Sequence, residues 1–387
     1  MRIALVRQRY NPYGGAERFV ERALPALERA GAEVTLIARS AQGWGGGSRK
    51  VVLADPFHLG SWWRDRSFAR AAREAWIAGG FDLVQSHERI PGCSIYRAGD
   101  GVHRNWLEIR RGLGGRTEKF ALALNPYHRY VCAAERAMFE HPALRAVICN
   151  SGMVRDEIAA AFRIAPGKLH VIYNGIDLEQ FHPRERARLR AGTRTELGVA
   201  DGETVFLFVG SGFARKGLDA AIAALALCSA QFSGKRFWLV VAGRDRQAAR
   251  FEGRARAAGL AGRVQFLGGR EDVRPLYAAA DCFILPTRYD PFPNSVLEAL
   301  AMGLPAIVGR RCGAAEVVRP GQSGWVCDPA DVAGLADLMR GAAAAGAGMA
   351  TSARACAENF GIERMAGELV ALYSKLAPAA PEKWVLS

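Results

Sequence analysis

Two carboxylates, Asp290 and Glu298, flank a proline-rich turn in the stretch TRYDPFPNSVLEALAMGLP (287–305). Glu298 is predicted to lie in the first turns of a helix, where it could accept hydrogen bonds from a vicinal diol such as ribose. Asp290, in the preceding loop, could accept from sugar hydroxyls. Asn294 is predicted to cap the helix and Ser295 to begin it, which would aim N–H groups at a phosphate or sugar oxygen. The alternative is that Glu298 only complements the helix dipole on a solvated face.

Two adjacent cations occupy the turn GSGFARKGLD (210–219), which follows a predicted strand. Arg215 and Lys216 stand beside a helix N-terminus, between Gly212 and Gly217, where the helix dipole disfavours positive charge. A bound diphosphate would supply the compensating charge, with Arg binding as a fork and Lys as a point charge. A solvated Arg-Lys pair is the alternative. The turn lacks the P-loop and dinucleotide-binding patterns, which argues against phosphoryl and hydride transfer.

Other glycine-rich turns follow predicted strands. Gly14 and Gly15, in NPYGGAER (11–18), could present bare backbone N–H groups to an anion at the start of the next helix. Arg244 lies in VVAGRD (240–245), and Arg270 ends a Gly-Gly-Arg run that could hold a nucleobase against backbone. Tight turns without a ligand are the alternative for each.

The first half places four polar residues near predicted strand ends, namely His87, Glu88, Asp100 and His103. A single His or Asp in a loop is more often structural than catalytic. Asp100 is the favoured functional residue, because it stands between two glycines directly after an apolar strand.

Strand and helix patterns alternate in two successive series. The first opens with a strand over Arg2–Val6, a helix over Ala16–Ala30 and a strand over Glu33–Ala38, and the second opens with a strand over Thr204–Val209. The fold class is therefore α/β, with two doubly wound, Rossmann-like domains facing each other across a cleft. Ligands bind beyond the carboxyl ends of the strands in such folds.

The predicted boundary lies near Asn174–Arg186, where turn residues, proline and charge occur together. We predict a first domain over 1–173, a second over 174–355, and a C-terminal helical segment over 356–387 that packs back toward the first domain.

Composition narrows the class of protein. The 387 residues carry a formal net charge of +14, which favours anionic partners. No nucleic-acid reading module is recognisable and the charge is spread along the chain, so a nucleic-acid-binding protein is disfavoured. The eight cysteines form no C-x-x-C pair, which predicts buried thiols in a reducing cytoplasm. No secretory signal and no apolar run of about 18 residues is present in the sequence.

Taken together, the segments resemble the family 4 glycosyltransferases of the GT-B fold. The resemblance is carried by GGAER (14–18), VICNSGMVRDEI (147–158), VIYNGIDLEQF (171–181), FVGSGFARKGLD (208–219), the run 263–308 and GQSGWVCDPAD (321–331). It implies a retaining transferase that uses a nucleotide sugar, with no cofactor and no metal required.

The resemblance also implies roles for the residues described above. Arg215 and Lys216 match the diphosphate-binding pair, and Glu298 matches the acid that binds ribose. Asp290 stands where the family has the first Glu of its E-x7-E signature, which contacts the donor sugar. Because Asp is one methylene shorter, the backbone of Phe292, Pro293, Asn294 and Ser295 is a further candidate for holding the sugar.

Within the family, the likeness is closer to the lipopolysaccharide-core glucosyltransferases that act on inner-core heptose. YNPYGGAERF (10–19), IPGCSIYRAGD (90–100) and RYVCAAERAMFEH (129–141) carry it. It implies glucose transfer from UDP-glucose to a glycolipid, with Asp100 on the acceptor side and His87 or His103 as the alternative. A different UDP- or GDP-sugar with another polysaccharide acceptor, an epimerase and a phosphorylase stay open.

A basic segment supports a glycolipid acceptor. Residues 103–130 hold six Arg or Lys and two Glu, interleaved with Trp106, Phe120, Tyr127 and Tyr130. Basic and aromatic residues together suit an anionic membrane surface, and a solvated basic loop is the alternative. We expect a cytoplasmic enzyme bound peripherally to the inner face of the cytoplasmic membrane.

Overall fold

A computed structural model of the chain describes residues 1–10, 15–41, 43–44, 49–113, 115–231 and 236–377. The chain divides into two compact units. Among the described residues, the first unit holds Met1–Asn150, Val154–Gly175 and residues 363–377. The second unit holds Ser151–Met153 and Ile176–Ile362. The chain therefore returns to the first unit after it has completed the second.

The described residues form strands and helices in alternation. The strands are β1 Arg2–Val6, β2 Arg9–Tyr10, β3 Glu33–Ala38, β4 Ser40–Ala41, β5 Lys50–Leu53, β6 Leu83–Ser86, β7 Ile95–Ala98, β8 Ala146–Cys149, β9 Leu169–Val171, β10 Thr204–Val209, β11 Phe237–Ala242, β12 Val264–Phe266, β13 Cys282–Leu285, β14 Ala306–Gly309 and β15 Gly324–Cys327. The helices are α1 Gly15–Arg29, α2 Gly60–Gly79, α3 His103–Leu113, α4 Arg116–Leu124, α5 Pro126–Phe139, α6 Gly152–Ala161, α7 Pro183–Glu196, α8 Leu218–Gln231, α9 Ala248–Ala257, α10 Arg274–Ala279, α11 Asn294–Ala301, α12 Val332–Ala345, α13 Ala350–Glu358 and α14 Ile362–Leu376. Short 3₁₀ turns lie at Pro166–Lys168, Gly313–Glu316 and Gly346–Met349.

The first unit is built on a seven-stranded parallel sheet in the order β5-β3-β1-β6-β7-β8-β9. The chain moves outward from β1 in one direction and then returns to β6 on the other side of β1. The strand order therefore reverses between β1 and β6, and this switch point is where a doubly wound sheet opens a crevice for a ligand.

Helix α14 completes the core of the first unit. Its buried residues recur with helical spacing and pack in one cluster with apolar residues of β1, β3 and α1; they are Met365, Leu369, Leu372, Tyr373 and Leu376. Helix α14 thus stabilises the sheet of the first unit.

The second unit has a six-stranded parallel sheet in the order β12-β11-β10-β13-β14-β15. Here the order reverses between β10 and β13. The strands β10, β13 and β14 are buried on both faces apart from single positions, as expected for parallel strands covered by helices. Two Rossmann-like α/β units confirm the predicted fold class.

Some predicted elements were wrong. The range Asn174–Arg186, near which we predicted the domain boundary, contains the start of helix α7, with Pro183 at its first position. The single helix predicted over Ala353–Leu376 is two helices, because the Ile176 N–H bonds to the Phe360 carbonyl and Ile176 pairs with Gly361 at the break. Residues 103–113, 116–124 and 126–130 lie in helices α3, α4 and α5, so the alternative of a basic loop was wrong for this part of the chain.

Candidate active site

The second unit brings two predicted loops together at its switch point. Gly217, which ends the turn after β10, has φ +77°, and a Cβ on it would lie 2.0 Å from the Pro286 carbonyl oxygen after β13. Only glycine allows this approach and this backbone conformation. The Thr287 hydroxyl and the Arg288 N–H then donate to the Arg215 carbonyl at 3.1 and 2.9 Å. The two loops are therefore held against each other by backbone contacts.

The buried residues Lys216 and Asp290 and the half-buried Arg215 form a cluster, called here the cation–Asp290 cluster. Lys216 Nζ lies 2.6 Å from Asp290 Oδ2, and Arg215 Nη1 lies 3.4 Å from the same oxygen. Lys216 is 8% exposed and Asp290 6%. Burial opposes ionisation of this carboxylate, but the two cations outweigh it and hold the pKa of Asp290 below its ordinary value. The cluster carries two positive charges against one negative charge, which leaves it suited to an anion.

Neighbouring contacts fix the cluster in place. Arg215 Nη1 also donates to the Tyr289 carbonyl at 2.9 Å. Arg288 binds Asp219 through both guanidinium nitrogens at 2.8 Å, and Asp219 lies in the first turn of α8. A fork-to-carboxylate pair of this kind is directional, so it orients the loop that follows β13.

Glu298 lies on α11, which follows the same loop. Its carboxylate is buried, and Oε2 accepts from the Tyr277 hydroxyl at 2.9 Å. The Tyr277 hydroxyl also lies 3.1 Å from the Ser295 carbonyl. Asn294 is the first residue of the helix and Pro293 occupies the cap position, so the prediction that Asn294 caps α11 was wrong. The cause is Pro293, whose extended backbone (φ −74°, ψ 123°) precedes the helix directly.

The remaining predicted donor-side residues of this unit follow strands β10, β11, β12 and β13. The Gly212 carbonyl accepts from the Lys216 N–H at 3.0 Å. The Arg244 side chain packs against the backbone of Gly269, and Arg270 is exposed beside it in the chain. Phe292 and Pro293 are buried, and Ser295 is half-buried. Gly15 begins α1 in the first unit, and Gly14 lies outside the described residues.

The switch point of the first unit holds His87. Its N–H donates to the Val6 carbonyl at 3.0 Å, which ties the end of β6 to the end of β1. Its ring is buried, and ring atom Nε2 lies 3.0 Å from the side-chain nitrogen of Gln85. Burial, reinforced by Arg97 and Arg7, holds the pKa of His87 well below its ordinary value. The ring is therefore neutral at physiological pH.

A polar cluster of the first unit surrounds Asp100. Arg89 Nε donates to Glu135 Oε1 at 2.8 Å, and Glu135 also accepts from the His103 N–H at 3.2 Å. Burial raises the pKa of Glu88 and lowers that of His103 to about 4, and the charge of Asp100 acts on both groups. Asp100 itself is exposed. The structure thus brings Asp100 and His103 into one electrostatic neighbourhood.

Comparison with known proteins identifies the class of enzyme. Residues 13–180 match the family described as Glycosyltransferase Family 4, and residues 190–355 match Glycosyl transferases group 1. The chain is a glycosyltransferase with a family 4 domain followed by a group 1 domain.

Two curated relatives are similar to this glycosyltransferase in sequence. Lipopolysaccharide glucosyltransferase WaaG of Escherichia coli K12 is 26% identical over 346 residues, which is 88% of this chain and 89% of that protein. Lipopolysaccharide core biosynthesis glycosyltransferase LpsE of Rhizobium meliloti is 32% identical over 149 residues, covering 38% of this chain and 42% of LpsE.

Two crystal structures are similar in fold. That of WaaG has a TM-score of 0.83 and 23% identity, covering 96% of this chain and 99% of that chain. That of Anabaena HepE with UDP and glucose has a TM-score of 0.70 and 21% identity, covering 97% and 100%. The glycosyltransferase therefore has the GT-B fold.

Sequence reasoning did not identify several residues of the candidate site. Thr287 and Arg288 precede Asp290, and their place in the same strand-end loop was the available signal. Glu135 and Tyr277 lie inside helices, where a polar residue carries no signal of its own. Within the described part of the chain, no three His, Cys, Asp or Glu side chains group as metal ligands, and no helix is long and apolar enough to cross a membrane.

Proposed function

We propose that this glycosyltransferase moves glucose from UDP-glucose to the inner-core heptose of a lipopolysaccharide glycolipid, with retention of configuration and without a metal. The observation that carries the donor side is the cation–Asp290 cluster at the switch point of the second unit. The similarity to WaaG, a lipopolysaccharide glucosyltransferase, and to LpsE, a lipopolysaccharide core biosynthesis glycosyltransferase, supports a lipopolysaccharide acceptor.

The donor is proposed to bind along the strand ends of the second unit. Its diphosphate would contact Arg215 and Lys216, which hold the net positive charge of the cluster. Glu298 would accept from the ribose hydroxyls through its carboxylate, which Tyr277 already orients. Arg244 and Arg270 would lie toward the base. A uridine nucleotide is favoured because HepE, of the same fold, binds UDP and glucose.

Charge stabilisation is the main catalytic task in this proposal. As the glycosidic bond to the diphosphate breaks, negative charge develops on the leaving phosphate oxygen. Arg215 and Lys216 would stabilise it from fixed positions, which is the role that a metal ion has in other transferases. The same phosphate oxygen would take the proton of the attacking hydroxyl, so no strong protein base is needed.

The acceptor is proposed to bind to the first unit. Asp100 is exposed, so its carboxylate is available to a heptose hydroxyl. His103 and His87 have lowered pKa values and are therefore neutral, which suits them to hydrogen bonding with sugar oxygens rather than to pairing with phosphate. A transfer assay with UDP-glucose and a heptose-terminated glycolipid tests this function. Transfer only from another nucleotide sugar, or only to another acceptor, would contradict it and indicate a different transferase of the same fold.

An anionic membrane surface is proposed as a further partner on the cytoplasmic side. Helices α3 to α5 carry the basic segment, and Phe120 and Leu124 on α4 are exposed. The start of α2 adds Trp62 and Trp63, each 42% exposed. Phe57, which precedes α2 in the chain, places its ring edge-on to that of Trp63 at 5.7 Å between ring centres. Exposed tryptophan beside basic residues is the composition of an interfacial contact.

The start of α2 and the basic segment belong to one surface. Burial raises the pKa of Tyr127 on α5, and Asp65 on α2 adds to it through charge and a hydrogen bond. Asp65 follows Trp62 and Trp63 by one helical turn or less, so the exposed rings lie near the basic helices. The aromatic residues at the start of α2 gave no signal in the sequence reading because the helix itself was not predicted.

Replacing both Trp62 and Trp63 with serine is expected to weaken binding to anionic vesicles by about tenfold or more, because two large rings lose apolar contact. Co-sedimentation with phosphatidylglycerol vesicles measures it, and phosphatidylcholine vesicles report the charge dependence. The paired control is Leu227→Ser with Val326→Ser, which removes exposed apolar residues of the second unit. Equal binding of the tryptophan variant and the wild type would contradict the membrane proposal.

A further inference from the structure

We propose that Tyr373, on the C-terminal helix α14, is a positioning residue that fixes the proton of the His87 ring on Nδ1 by a hydrogen-bond relay through Gln85. The inference rests on the proposed function only in one respect, namely that His87 is an acceptor-side residue. The relay itself is a matter of hydrogen-bond geometry within the first unit.

The three side chains of the relay are buried, and Gln85 lies between His87 and Tyr373. Gln85 and His87 are two residues apart at the end of β6, so their side chains share one side of the strand. The Gln85 side-chain nitrogen lies 3.0 Å from His87 Nε2. On the other side of Gln85, the Tyr373 hydroxyl bonds to its Oε1. All three residues are at most 5% exposed, so water does not compete freely for these bonds.

The donor and acceptor roles follow from the chemistry of the groups. The oxygen of a Gln amide only accepts and its nitrogen only donates. The structure turns Oε1 of Gln85 toward the Tyr373 hydroxyl, which donates to it, and turns the amide nitrogen toward His87, where it donates to Nε2. Nε2 must then be the unprotonated nitrogen of the neutral ring, and the proton resides on Nδ1.

This relay decides what His87 can do. Its Nε2 lone pair is occupied by Gln85, so the ring cannot take a proton there without losing that bond. A ring with its proton fixed on Nδ1 is a hydrogen-bond donor, suited to a hydroxyl or ring oxygen of a sugar. Burial and the neighbouring Arg7 and Arg97 keep the ring neutral, in agreement with that role. His87 is therefore expected to orient a sugar and not to act as a general base.

The relay also gives α14 a function beyond packing. Tyr373 lies in the apolar cluster that joins α14 to the sheet, and its hydroxyl is the polar atom by which that helix reaches Gln85. The sequence could not show this contact, because Gln85 and Tyr373 are 288 residues apart.

Long-range ¹H–¹⁵N correlation spectroscopy of the full-length protein tests the relay, since it distinguishes the two neutral tautomers of histidine. The His87 signal is assigned as the one lost in His87→Gln among the seven histidines. We expect the Nδ1–H tautomer in the wild type. Gln85→Glu replaces the donor with an acceptor and is expected to move the proton to Nε2, and Tyr373→Phe is expected to give a mixture.

The control is Leu369→Ala, one helical turn before Tyr373, which loosens the same helix but leaves the relay groups in place. Tyr373→Phe is expected to lower kcat/KM for the acceptor by about tenfold, with KM for the nucleotide sugar unchanged. A wild-type Nε2–H tautomer, or a tautomer unchanged in Gln85→Glu, would overturn the relay. The predicted tautomers without any change in acceptor kinetics would uphold the relay and overturn the acceptor-side role of His87.

Discussion

Replacing Lys216 with alanine is expected to lower the rate of sugar transfer by about 10²–10³-fold, the usual effect of removing one charge-stabilising group from a transition state. Lys216 is the closest cation to Asp290 and lies at the switch point where the diphosphate is proposed to bind. Arg215→Ala is expected to act in the same direction. Steady-state transfer rates with saturating UDP-glucose measure both.

The Lys216→Ala variant needs a control for folding, because the substitution leaves the buried Asp290 carboxylate with Arg215 as its remaining cation in the cluster. The double variant Lys216→Ala with Asp290→Asn removes a buried carboxylate that has lost its 2.6 Å partner, and it is expected to recover stability without recovering activity. Arg188→Ala removes an exposed cation from α7 and is expected to transfer sugar at the wild-type rate. Near wild-type rates in both Lys216→Ala and Arg215→Ala would falsify the role of these cations in stabilising the leaving diphosphate.

Replacing Asp290 with asparagine is expected to destabilise the ligand-free protein by about 3–5 kcal/mol, because it leaves the buried Lys216 ammonium without its partner. It should also enlarge the stabilisation given by UDP. In the wild type the two cations already bind a carboxylate, whereas in the variant the diphosphate would meet them unopposed. Melting temperatures with and without UDP measure this, and uridine, which has no phosphates, is the control ligand.

The pH dependence of stability provides a second measurement on the same residue. The lowered pKa means that ionised Asp290 stabilises the native state. This contribution is fully present above the ordinary Asp value of 3.8 and is lost as the pH falls through the lower native pKa. The wild type should therefore lose stability relative to Asp290→Asn as the pH falls through that range.

The UDP experiment has its own contradicting outcome. If UDP raises the melting temperature of Asp290→Asn less than that of the wild type, Asp290 helps to bind the nucleotide and does not compete with it for the cations.

The residues of the cation–Asp290 cluster could be predicted from sequence as candidates, because they lie in loops that follow strands. Arg215 and Lys216 were recognised by their place at a helix N-terminus, and Asp290 by its place before a helix. The direct bond between Lys216 and Asp290 was not predictable. It joins residues 74 positions apart, and it depends on β10 and β13 being neighbours.

The first unit was harder to read because it buries polar residues at core-facing positions of a helix, where the residue type predicts a solvent-facing side chain. Glu135 is one such residue. It lies on α5 and binds both Arg89 and the backbone of His103. His87 and Asp100 were recognised from strand ends alone, and that signal could not distinguish a buried neutral ring from an exposed carboxylate. Asn294 was wrongly predicted as a cap because residue type suggested it and the backbone set by Pro293 could not be seen.

The central claim is tested most directly by incubating the protein with UDP-glucose and a heptose-terminated lipopolysaccharide core glycolipid, and determining the product by mass spectrometry and ¹H NMR. The proposal predicts addition of a single hexose whose anomeric coupling is that of an α-glucoside, as in the donor. It also predicts that the reaction proceeds in the presence of a metal chelator and is much slower with GDP-glucose. A β-linked product, a requirement for a divalent metal, or transfer to the acceptor from GDP-glucose but not from UDP-glucose would contradict it.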